Sequence, residues 1–199
     1  GAQLPNGLTI KAATLRGEKS QGMLCSEKEL AFSEEAAGLM ELPSHLRVGA
    51  PLAEALGLDD VVMELEITPN RPDCFSMIGI AREIRVITGN PLRLPQVNVK
   101  EGTANIRELT SVTIEAPDLC PRYAARVIRG VKIAPSPGWL QRRLEAIGVG
   151  SINNVVDITN FVLMEYGHPL HAFDYHRLAE NRIVVRRARS GETLKTIDG

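Results

Sequence analysis

The chain has 199 residues, 44% hydrophobic and 24% charged, a globular composition that excludes wholesale disorder and fibrous repeats. Its 23 Lys and Arg nearly balance 24 Asp and Glu, and a net charge of −1 gives no global field that would draw it to nucleic acid or an acidic membrane. Any polyanion site must therefore be local. No apolar run approaches the roughly 18 residues of a membrane span, and the opening Gly-Ala-Gln-Leu-Pro lacks the blocks of a signal peptide, so a cytoplasmic protein is expected. Cys25, Cys74 and Cys120 have neither disulfide-framework nor metal spacing and read as reduced thiols.

Charge is uneven along the chain. Residues 1–60 hold 5 basic and 9 acidic side chains, whereas residues 120–150 hold 6 basic ones and the single acid Glu145. Loose alternation over residues 8–16, bounded by Gly7 and Gly17, predicts a strand, and a second is expected at 22–26. Ser26 followed by Glu29 is a capping-box pattern that predicts a short helix. Pro51 should open a brief helix that Gly57 ends, and residues 61–67 alternate as a half-buried strand with Glu64 and Glu66 on its polar face. Pro69 and Pro72 enclose Asn70-Arg71 in a rigid turn. Ser76 then caps a helix in which Ile80, Ile84 and Ile87 repeat until Gly89.

Residues 91–110 read as a polar linker. After it come strands at 112–116 and 122–133, a helix opened by Pro137 through Leu144, and a second helix that Asn154 can cap and Gly167 ends. Strands at 183–189 and 193–197 flank a Ser190-Gly191 turn. The last residues, Thr196-Ile197-Asp198-Gly199, resemble a hairpin turn without its second strand, so a piece of a longer chain is expected. Mixed strands and helices without strict alternation predict an α+β fold.

No glycine-rich phosphate loop, nucleophile elbow or zinc signature occurs. The densest polar set is Asn153, Asn154, Asp157, Thr159, Asn160, Glu165, His168, His171 and Asp174, within 22 positions. Helical geometry aligns 153, 157 and 160 on one face, with Thr159 beside them and His171 beyond the Gly-x-Pro break. Two readings stand: these side chains look into a cleft, or Asp157 and the asparagines merely cap and bracket the helix while His171 is a satisfied ring. His168, His171 and His176 lack i, i+4 partners on a regular helix, which argues against a metal site.

Cys74 precedes a helix but has no neighbouring histidine, so a buried structural thiol is expected. Arg71 can pair with Glu64, Glu66 or Asp73. Trp139 reads as a core residue or helix anchor. Arg122, Arg126, Arg129, Lys132, Arg142 and Arg143 either contact phosphates or protect a solvated strand edge, and Arg186, Arg187 and Arg189 admit the same two accounts.

Four motifs then appear in order: Gly17-x-x-Ser20-x-Gly22-Met23-Leu24-Cys25-Ser26; Glu66-Ile67-Thr68-Pro69-Asn70-Arg71-Pro72-Asp73-Cys74; Ser151-Ile152-Asn153-Asn154-Val155-Val156-Asp157-Ile158-Thr159-Asn160; and Gly167-x-Pro169-Leu170-His171-Ala172-Phe173-Asp174. Together they resemble the β chains of bacterial phenylalanine–tRNA ligases over essentially the whole length. The resemblance implies that residues 1–45 are the tail of a tRNA-binding-like OB barrel, 46–100 a small strand-turn-helix domain, and 105–199 the first part of a mixed α/β tRNA-editing domain. It further implies an α-chain partner in a heterotetramer of two α and two β chains, binding of the tRNA acceptor end, and ATP and magnesium for the complete enzyme. No cofactor is expected in this segment.

In this family's pattern Thr159, Asn160 and His171 match editing positions. Thr159 and Asn160 would hold substrate or water, and His171 would orient the terminal ribose or attacking water. His168 stands where the family usually has Gln, and Gly150 where a basic residue often precedes Ser-Ile-Asn-Asn. A noncatalytic tRNA-binding or assembly module and a freestanding editing-domain relative are the alternatives.

Overall fold

A computed structural model describes residues 1–34 and 38–195. The chain divides into two compact units, residues 1–61 and 62–199.

In the first unit the chain turns back earlier than the glycine spacing suggests. Strands β1 (Ala13–Leu15) and β2 (Glu18–Ser20) form an antiparallel hairpin in which Leu15 faces Glu18. Its two-residue turn is Arg16-Gly17, with φ of 53° and 86°, left-handed values that suit a tight hairpin and that glycine adopts without steric cost. The predicted strand at 8–16 thus survives only as β1, and the one at 22–26 is replaced by β2. Ser26 and Glu29 do form the reciprocal box: the Ser26 N–H donates to Glu29 Oε2 at 2.7 Å and the Glu29 N–H to Ser26 Oγ at 3.3 Å. No helix follows, because Ala31 turns left-handed at φ 60° and ends the winding after one turn. Helix α1 (Leu52–Leu56) forms between Pro51 and Gly57 as expected.

The second unit lacks the first strand predicted for it. Residues 62–67 form no strand, and Val62, Met63 and Leu65 are exposed. Alternation records which side chains would share a face but does not supply the neighbouring strand that makes a ladder. The proline turn is present, with a single 3-10 turn at Pro72–Cys74, followed by α2 (Met77–Thr88). Ser76 caps α2 by accepting from the Gly79 N–H at 3.0 Å, and Gly89 closes it. Gly79 is needed for a different reason: a Cβ there would lie 1.8 Å from the Asp73 carbonyl oxygen. That approach packs the helix onto the turn.

The end of the predicted linker instead winds into α3 (Ile106–Leu109), which leads into β3 (Ser111–Ile114); β3 pairs in parallel with β4 (Arg182–Val185), Ser111 facing Arg182 and Ile114 facing Val185. Parallel pairing demands a long crossover, and α4 (Gly138–Glu145) and α5 (Asn154–Tyr166) lie within it. Residues 122–133 form no strand, leaving Ile128 and Ile133 exposed. Strand β4 is shorter than predicted, residues 193–195 are not a strand, and 196–197 of that predicted strand lie outside the described residues. The architecture is a mixed α/β one.

Leu140 and Leu144 on α4 are essentially inaccessible, and Cys74, Ile78 and Ala116 are also buried. Helix α5 packs on both α4 and α2. At its end, a Cβ added to Gly167 would lie 3.2 Å from Ser76 Cβ, so the α5 terminus abuts the start of α2. Among the described residues no helix is long and apolar enough to cross a membrane.

Candidate functional site

The polar set on α5 is organised by one buried carboxylate. Asp157 is fully inaccessible, and its oxygens accept from Ser136 Oγ at 2.5 Å, Ser151 Oγ at 2.5 Å and the Ile152 N–H at 2.8 Å. A carboxylate withdrawn from water is costly unless donors satisfy it, and these three hold its pKa below the ordinary aspartate range. The hydroxyl bonds from Ser136 and Ser151 are the largest causes. Ser136 is itself buried and lies 21 residues upstream, before α4, so no local sequence pattern marks the pair.

The cap is Asn153, not Asn154. Asn153 adopts the extended backbone of an N-cap, φ −163° and ψ 166°, and its Oδ1 accepts from the Val155 and Val156 N–H groups at 3.1 Å each. Asn154 is already inside the helix and turns outward to residues 132–134. Its Nδ2 donates to the Lys132 carbonyl at 2.9 Å and its N–H to the Ala134 carbonyl at 2.9 Å. On the neighbouring face Phe161 meets Trp139 edge-to-face at 5.7 Å, which makes Trp139 the anchor between α4 and α5.

The three residues singled out for editing have different surroundings. The Thr159 hydroxyl donates to the Val156 carbonyl at 2.7 Å, which leaves its oxygen able to accept from another group. Asn160 is half-buried, and its amide makes no hydrogen bond among the described residues. His171 is exposed and its ring lies 4.5 Å, centroid to centroid, from that of Phe173. No hydrogen bond or ring contact among the described residues joins Thr159, Asn160 and His171 to one another.

The loop carrying His171 is held at its ends. Gly167 abuts Ser76, while Asp174 caps the next turn through the His176 N–H at 3.0 Å and the Tyr175 hydroxyl donates to the Leu109 carbonyl at 2.6 Å. Between these anchors, residues 168–173 make no hydrogen bond among the described residues.

Other candidates resolve into structure. Arg71 clamps Asp73 with two bonds, Nε to Oδ1 at 3.0 Å and Nη2 to Oδ2 at 2.8 Å, and reaches Glu83 Oε1 at 2.6 Å. Of its three anticipated partners only Asp73 is engaged, and Glu83, one helix away, replaces Glu64 and Glu66. Asp73, Cys74 and Glu83 converge closely enough to hold a cation, but Arg71 already occupies that position, pairing with both carboxylates. Burial pushes the Cys74 thiol up, away from the thiolate a ligand or nucleophile needs. Cys25, Cys74 and Cys120 are all free thiols.

The basic side chains are partly committed as well. Arg126 pairs with Glu101 at 3.1 Å, Arg187 with Asp118, and Arg186 with Glu192 at 2.7 Å. The Arg186 guanidinium and the Arg189 N–H together draw Glu192 down to about 2.

Residues 119–199 match the model of the B3/4 domain family. Across its whole length the chain is 56% identical to the phenylalanine–tRNA ligase beta subunit of Syntrophus aciditrophicus and 55% identical to that of Geobacter metallireducens, covering 25% of each. The same subunit of Geobacillus kaustophilus is 52% identical, again over all of this chain and 25% of the relative. The chain thus spans about a quarter of the length of the curated relatives it matches. With identity this high from end to end, the protein belongs to the phenylalanine–tRNA ligase beta-subunit family.

Proposed function

We propose that this chain is a working part of a phenylalanine–tRNA ligase β subunit, supporting attachment of Phe to its tRNA beside an α subunit, and that residues 151–174 form one side of a site that hydrolyses mischarged Tyr-tRNA. Membership of the family carries the first half of this reading. The second half rests on the free amide of half-buried Asn160, one helical turn beyond a rigidly held carboxylate. The division at about residues 45 and 100, the α2β2 assembly and the use of ATP and magnesium by the complete enzyme belong to the same reading.

Chemistry explains the need for such a site. An apolar pocket shaped for phenylalanine rejects an added hydroxyl only about a hundredfold, so tyrosine must be removed after transfer. A second pocket with hydrogen-bonding groups matched to the phenol would select the right ester for hydrolysis. Asn160 offers both donors and an acceptor, Thr159 an acceptor, and the His171 ring a solvent-facing partner for a ribose hydroxyl or water. An aminoacyl ester is already activated, so holding it against a water contributes more than proton abstraction.

The alternative is a noncatalytic tRNA-binding or assembly module. It is favoured by the extent to which Asn153, Asn154 and Asp157 serve the fold, and by the Thr159 bond to its own helix. The two readings separate in the complete αβ enzyme. Asn160→Ala and His171→Ala should each slow Tyr-tRNA deacylation by about tenfold or more while Phe-tRNA synthesis persists. Unchanged deacylation in both variants, with salt-sensitive tRNA binding intact, would establish the binding module instead.

A further inference from the structure

We infer that Asp157 is a positioning residue for Asn160, fixing the roll of α5 so that the Asn160 amide faces the ester; this rests on the editing reading above. The inference follows from how α5 is held. Its backbone bonds set the rise and pitch of the helix but not its rotation about its own axis, which side-chain contacts must fix. On the face of Asp157 the contacts are directional: two serine hydroxyls and one backbone N–H converge on a single carboxylate. They come from two segments, the approach to α4 and the connection between α4 and α5.

Asn160 follows at i+3 on the same side of the helix, close enough that a rotation at 157 is transmitted through less than one turn of backbone. The Trp139–Phe161 contact holds the adjoining face and resists translation, but an edge-to-face pair tolerates rotation better than a three-donor carboxylate does. Asn160 makes no hydrogen bond of its own among the described residues, so its direction is inherited from the helix.

The test is a double-mutant cycle in the complete αβ enzyme, reading single-turnover Tyr-tRNA deacylation over a concentration series. Asp157→Asn preserves volume and can still accept from Ile152 at Oδ1, but it puts an NH2 in place of Oδ2, the oxygen that accepts from both serines. It should lower the deacylation rate constant by about tenfold, with less change in half-saturating Tyr-tRNA. In the Asn160→Ala background the same change should have almost no further effect, because the group it positions is gone.

A merely structural role predicts the opposite: equal fold-losses in both backgrounds, tracking the loss of folded protein. That result, or full activity in Asp157→Asn, overturns the inference. Should Asp157→Asn fail to accumulate, Ser136→Ala removes one donor only, and the same cycle applies to it. Wild-type enzyme that does not deacylate Tyr-tRNA would overturn the editing reading itself, an outcome distinct from an additive cycle.

Discussion

The start of α5 and the loop that follows its end are built from similar residues and differ in nearly every physical respect. At the start, Asn153 bonds to its own helix, Asn154 across to residues 132–134, and Asp157 both to the lead-in and across to Ser136. Beyond Gly167, His168 and His171 are exposed on a stretch whose hydrogen bonds, among the described residues, lie only at its far end, with Gly167 abutting Ser76 at the near one. The difference teaches that polar density in a sequence mixes two populations: groups spent on holding backbone in place, and groups left available to a ligand. Asn160 and the free lone pairs of Thr159 sit between the two.

Removing the anchor should give the largest effect. Asp157→Ala leaves Ser136 Oγ, Ser151 Oγ and the Ile152 N–H without their acceptor in a water-poor site, and the melting temperature should fall by about 10 °C in calorimetry. A variant that melts like wild type would show that water replaces the carboxylate, and the contrast between the two regions would lose its basis.

Acid should act on the same anchor. The folded state holds the Asp157 pKa below its unfolded value, so its contribution is complete above the ordinary aspartate pKa of about 4 and is lost as pH falls through the lower folded value. Stability should therefore decline below about pH 4 and decline less in Asp157→Asn, as urea titrations at stepped pH would register. Asp73, Asp118 and Glu192 are also lowered, chiefly by arginine partners, and share the sign. They are more exposed, so added salt should weaken their part and spare that of Asp157.

Asn153→Ala should cost about 1 kcal/mol, the usual value of an N-cap, and should raise hydrogen exchange at Val155 and Val156 first. The smallest effect should come from the loop. His171→Ala loses one exposed ring contact and should shift stability by no more than about 0.5 kcal/mol; the editing proposal adds that it should lower Tyr-tRNA deacylation. A large loss of stability there would mean that the loop is scaffold too.

Sequence reading located what local chemistry decides. Ser76 and Gly89 bound α2 as expected, Pro51 and Gly57 bound α1, and the helical stripe ending at Gly167 is α5. Caps and breakers act within a few residues, so their signal is contained in a short window. Even there a one-residue ambiguity arose, since both Asn153 and Asn154 have the right side chain and only the extended backbone at 153 distinguishes them.

What the sequence by itself determined, then, is four helices, α1, α2, α4 and α5, with most of their ends, and through four ordered motifs the family; the helix predicted after Ser26 does not form and α3 arises inside the predicted linker. The tertiary structure alone decided which alternating segments become strands and which polar groups are spent. Residues 62–67 and 122–133 have strand-like patterns but no ladder, whereas residues 111–114 find a partner about 70 positions away. Ser136 meets Asp157 across 21 residues, and Arg71 meets Glu83 across 12. A ladder and a buried ion both need a partner that satisfies their hydrogen bonds, and that partner is chosen by the path of the chain in space rather than by the residues alongside.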